Sequence, residues 1–147
     1  MNQDKDKDEL RDRYRATTLR ILGNFQLLEF ALKEYIGHCY KVIRSRVRDT
    51  IHFDYSGKDV EDLPLGRLLG LYSKLNADSE LLARMRKLQV ERNHIAHGSL
   101  LIAMGSSYDR GAVEDKYIEY FDLEDELTEC LQAVIAANRE LRGKVTG

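Results

Sequence analysis

Six consecutive residues, Arg92-Asn93-His94-Ile95-Ala96-His97, hold the densest chemistry in the chain. Arginine presents a planar, permanently charged fork that matches the oxygens of a phosphate or a carboxylate. Histidine, with an unperturbed pKa of about 6.5, can take up or release a proton near neutral pH. Arg92 and His97 together therefore suit chemistry on a phosphodiester, one holding charge and the other moving protons. Asn93 precedes His97 by four residues, one helical turn, where its amide can hold the imidazole. On an ideal helix Arg92 and His97 stand about 140° apart, which fits a site assembled between two chains better than one within a single chain.

The same residues also have structural readings. Leu81, Met85, Leu88 and Ile95 form an apolar series in which Arg92 takes a place that calls for leucine. A charge there needs a carboxylate, a wet interface or a bound anion. Glu29, on a seven-step series with Leu22, Ile36 and Ile43, is a candidate carboxylate. His97 can cap a helix end, where the negative terminus favours the imidazolium. His94 is read as exposed or touching phosphate, and His38 and His52 stand alone. No further ligands accompany His94 and His97, so neither a metal site nor a cofactor is expected.

The elements that must position these residues follow from periodicity. Tyr14, Ile21, Leu28, Tyr35 and Val42 recur every seven residues, interleaved with Thr18, Phe25, Leu32 and Cys39. That seam predicts one long helix over about 9–48, with Gly23 and Gly37 marking close contacts or a bend, and disorder over 1–8. Pro64 opens a second helix whose apolar face is Leu65, Leu68, Leu69, Tyr72 and Leu75. Asn76 or Asp78 ends it and caps a third, from Ser79 to about His97, with Gly98 as its stop. Residues 99–120 lose the helical period, and the runs at 100–104 and 117–121 around a glycine-rich turn predict a short β-hairpin. Asp122 is expected to cap a last helix with Leu123, Leu127, Leu131, Val134, Ile135 and Leu141 facing inward. The fold class is all-α, a bundle of about four helices in one domain.

Composition narrows the setting. The chain has 147 residues and a net charge of −2. Lys41, Arg44, Arg46 and Arg48 form one basic cluster, and Arg84, Arg86, Lys87 and Arg92 a second, while 109–129 is acidic. One positive surface open to a polyanion such as RNA and one negative surface facing elsewhere would follow, unless the charges merely alternate on solvated helix faces. Cys39 and Cys130 match no metal or redox spacing and read as buried free thiols. No membrane-spanning run and no secretory leader stand out, so the expected location is the cytoplasm.

The Arg-x4-His string of 92–97 resembles the signature of the HEPN family, and its neighbours add to the likeness. Leu63-Pro64-Leu65-Gly66-Arg67-Leu68-Leu69 is similar to a leucine-glycine segment upstream of that signature. Asn24-Phe25-Gln26-Leu27-Leu28-Glu29 is similar to the start of the family's first long helix. The resemblance implies a metal-independent endoribonuclease, a toxin or antiviral-defence effector working as a homodimer and held in check by an antitoxin or sensor protein. Arg92 and His97 would then be catalytic, with Asn93 beside them. The alternatives are a non-catalytic module that binds RNA, a nucleotide or a protein, and a plain dimerisation domain.

Overall fold

The structure, a computed structural model, describes residues 2–95 and 110–146. Among these the chain is all-α, with helices α1 (Asn2–Val47), α2 (Leu65–Leu75), α3 (Ser79–His94) and α4 (Arg110–Thr146) and a 3₁₀ turn at Gly57–Val60. None of these helices is long and apolar enough to cross a membrane. The backbone is helical from Asn2, so the stretch expected to be disordered extends α1 instead. Its acidic residues suit a helix start, and neither glycine nor proline interrupts it.

The seam of α1 is the spine of the core. Tyr14, Thr18, Ile21, Phe25, Leu28 and Leu32 are fully buried, and the Thr18 hydroxyl is satisfied by the Tyr14 carbonyl at 2.8 Å. Against it lies α4, running parallel. Tyr14 stacks on Tyr120 with centroids 5.7 Å apart, Arg20 meets Glu124, and His38 Nδ1 donates to Asn138 Oδ1 at 2.7 Å. These partners climb both helices together, which fixes the parallel sense.

The other side of α1 is covered by α2 and the 3₁₀ turn, while α3 packs against α2 and α4. Tyr35 packs against Tyr72 at 5.2 Å, and Asn76 Nδ2 donates to the Tyr35 hydroxyl at 3.0 Å. The α2–α3 corner follows its turn chemistry. Asn76 closes α2 through its own N–H to the Tyr72 carbonyl, and the Asp78 carboxylate accepts from the Leu81 N–H at 3.0 Å. Gly37 allows the 3₁₀ turn to approach closely, since a Cβ there would stand 3.3 Å from the Gly57 Cα. Gly23 has no such neighbour and faces open space.

The hairpin expectation fails at its second leg. Residues 117–121 lie inside α4, which begins at Arg110 and passes through Asp122 without a break. Val113, Tyr120 and Leu127, seven apart, are buried on one helix face, and the stack on Tyr14 outweighs the strand preference of Tyr117, Ile118, Tyr120 and Phe121. The first leg, 100–104, lies outside the described residues. Ile135 also departs from expectation, being exposed while Val134 is buried. Cys39 and Cys130 are free and buried, and burial pushes both thiols up, Cys130 to about 11.

Tyr120→Ala should therefore cost about 3 kcal/mol or more in urea unfolding, because it removes the contact that anchors the first half of α4. A hairpin at 117–121 would predict a far smaller loss and less helical circular dichroism in the wild type.

Candidate functional site

Arg92 lies in the last turn of α3, whose stripe behaves as the spacing requires: Leu81, Met85, Leu88 and Ile95 are buried on either side of it. Its Nε stands 3.3 Å from Glu29 Oε1 of α1, the candidate carboxylate. The side chains are 36% and 17% exposed, so the pair sits at the rim of the core. Glu29 Oε1 is shielded from solvent yet takes part in no aligned hydrogen bond. It has the proximity of the guanidinium without a well-directed N–H, so charge attraction alone offsets its desolvation.

The rest of the motif divides at Ile95. Asn93 and His94 follow Arg92 and are exposed to solvent, while Ile95 is buried. His97 lies outside the described residues. The described part of the site is thus a half-open arginine, a carboxylate behind it, and an amide and an imidazole facing outward. Such a set can receive an anion with Arg92, but only if the anion competes with Glu29.

The basic residues do not gather around Arg92. Arg84 is committed to α4, its guanidinium bonded to both Glu126 and Glu129. Both bonds raise its pKa, and the same guanidinium holds the Glu126 carboxyl below its ordinary value. Arg86 and Lys87 are exposed, and Lys87 lines a groove of about 720 Å³ between α3 and α4 together with Arg84, Glu91, Asp122 and Glu126. That groove carries both signs of charge. Arg44, Arg46 and Arg48 are exposed at the far end of α1. Arg44 is fifteen residues from Glu29, about 22 Å along the helix.

The expectation of a negative surface turned away from the basic one is corrected by these pairs. Glu124 binds Arg20 of α1, and Glu126 and Glu129 bind Arg84 of α3, so much of the acidic stretch faces its own basic neighbours. Sequence spacing could not reveal this, because the pairs join helices 42 to 104 residues apart. Among the described residues no group of three or more His, Cys, Asp or Glu is placed to hold a metal ion. No known protein family, curated protein or solved structure matches the chain.

A double-mutant cycle tests the Arg92–Glu29 contact. Arg92→Leu alone should cost about 1–3 kcal/mol in unfolding by stranding the Glu29 carboxylate. Adding Glu29→Leu should recover most of that loss, and strict additivity would show that the two do not interact.

The pH response follows from the depressed carboxyls. Guanidinium contacts hold Glu124 and Glu126 below the ordinary 4.5, so they bind protons more weakly folded than unfolded. Their stabilisation is present above that value and is lost as pH falls through the depressed values. Acid unfolding of a Glu124→Gln, Glu126→Gln variant should accordingly show a flatter stability profile below pH 4.5 than the wild type.

Proposed function

We propose that this chain is a metal-independent endoribonuclease of the HEPN type, a toxin or antiviral-defence effector that cuts RNA through a composite Arg92/His97 site between two copies. The observation that carries it is the position of Arg92, a half-open guanidinium in a leucine position at the end of the third bundle helix, followed by the exposed Asn93. A half-open charge where an apolar residue would pack better is a feature that stability alone does not favour. The chemistry asked of the site is attack of a ribose 2′-OH on the adjacent phosphorus, which breaks the bond to the 5′-oxygen of the next nucleotide and leaves a 2′,3′-cyclic phosphate. His97 would move the proton, with the imidazole of a second copy as the complementary acid. Arg92 would hold the negative charge that grows on the phosphate oxygens. His94, exposed beside Asn93, would touch the flanking phosphate.

The pairing of Arg92 with Glu29 favours a second reading, a non-catalytic module that binds RNA, a nucleotide or a partner protein, because the carboxylate already offsets the charge a phosphate would use. Mixed structured and single-stranded RNAs incubated with the protein in EDTA separate the two. The ribonuclease should leave 2′,3′-cyclic phosphate ends, and Arg92→Ala or His97→Ala should slow it by about 10²-fold or more. Salt-sensitive binding without cleavage by a folded wild type would hand the site to the binding module.

A further inference from the structure

The outward face of α1 carries three large apolar side chains that none of the described residues covers. Leu19, Leu27 and Phe30 are 58%, 53% and 60% exposed and fall within about 80° of one another around the helix. Gly23 lies between them with open space above its Cα, and Gln26 is exposed beside it. Arg15 and Glu34 bound the stripe at its two ends on the same face, both exposed. Among the described residues neither takes part in an ion pair within the chain.

The order of these residues is self-complementary. We infer that this face of α1 is where a second copy of the chain docks, with the two α1 helices antiparallel about a twofold axis between Gly23 and Gln26. In that register Leu19 meets Phe30 of the second copy, Gly23 meets Gln26, and Arg15 meets Glu34, each contact occurring twice. Other arrangements are worse on the same residues. A parallel pairing sets Arg15 against Arg15 and Glu34 against Glu34. An antiparallel shift of one turn, with Gly23 on the axis, opposes Asp12 to Glu34 and Arg13 to Lys33. Like charges directly opposed suppress both. The glycine leaves room for close helix approach at the centre, and the apolar residues flank it, as expected of an interface core with a charged rim.

This docking takes up only the two-copy part of the function proposed above. A twofold axis perpendicular to both helices carries each flank of α1 to the same side of the pair. Glu29 sits on the α3 flank, so the two Glu29–Arg92 pairs would open onto one common surface. Their separation along the axis would be about nine residues' rise, near 14 Å.

Sedimentation equilibrium of the purified chain tests it without RNA. The wild type should run as a dimer of the 17.0 kDa chain, and Phe30→Asp as a folded monomer by circular dichroism. Arg15→Glu and Glu34→Arg should each raise the dimer Kd by about tenfold or more, and the double variant should restore it, because the reversed charges again face each other. A monomeric wild type at high micromolar concentration overturns the inference. So does a dimer that survives Phe30→Asp, or a double variant no tighter than the singles. An intact dimer that cuts no RNA would count against the ribonuclease alone, whereas an RNA-cutting wild-type monomer would count against this interface alone.

Discussion

The longest helix sets the terms for everything packed against it. At 46 residues α1 would extend about 69 Å, and a helix of that length is stable in water only if tertiary contacts bury one of its faces along much of its course. α4, with 37 residues, is the only other described helix long enough to follow it. The 11 residues of α2, with the 3₁₀ turn, cover only part of the remaining side, and the 16 of α3 pack on α2 and α4. The stacked rings of Tyr14 and Tyr120 and the His38–Asn138 bond mark two places where the long pair is locked in register. Once that register is set, α3 is held where Arg92 reaches Glu29, and the outward face of α1 is left bare.

Much of this is legible in the sequence. The seven-residue recurrence of Tyr14, Ile21, Leu28 and Tyr35 named the buried seam, because a helix that buries one stripe must repeat apolar residues near that period. Pro64, Asn76 and Asp78 marked the ends of α2 and the start of α3, since each acts through its own backbone or a neighbour a few residues away. Arg92 announced itself by interrupting the stripe, and Glu29 by sitting in an apolar series of its own. The start of α4 was hidden, because Tyr117, Ile118, Tyr120 and Phe121 favour strands in isolation. Their partner, Tyr14, lies more than a hundred residues upstream. Of the candidate site, the arginine and its carboxylate were legible, whereas the local charge balance was not.

That charge balance reshapes how the surface can work. A cluster of basic residues in sequence is easily taken for a phosphate-binding patch, yet Arg84 spends its guanidinium on two glutamates of the adjacent helix. What remains open on α3 is the pair Arg86 and Lys87, with Glu91 beside Lys87 in the groove. A polyanion arriving there meets a mixed field, so orientation by hydrogen bonds and shape would matter more than net attraction. Arg44, Arg46 and Arg48 follow one another with no acidic residue between them, and they lie at the opposite reach of α1.

The parallel run of α1 and α4 has a consequence of its own. In a bundle of antiparallel neighbours the peptide dipoles cancel, but here those of the two longest helices add, giving the molecule a head and a tail electrically. Both carbonyl ends point to one pole, and there Arg46 and Lys144 line the same hollow beside Arg44. The side chains at that pole thus counter the backbone field, and cations easily assigned to a ligand act within the fold instead. Their loss would be felt as mutual repulsion between two helix ends that the chain holds side by side.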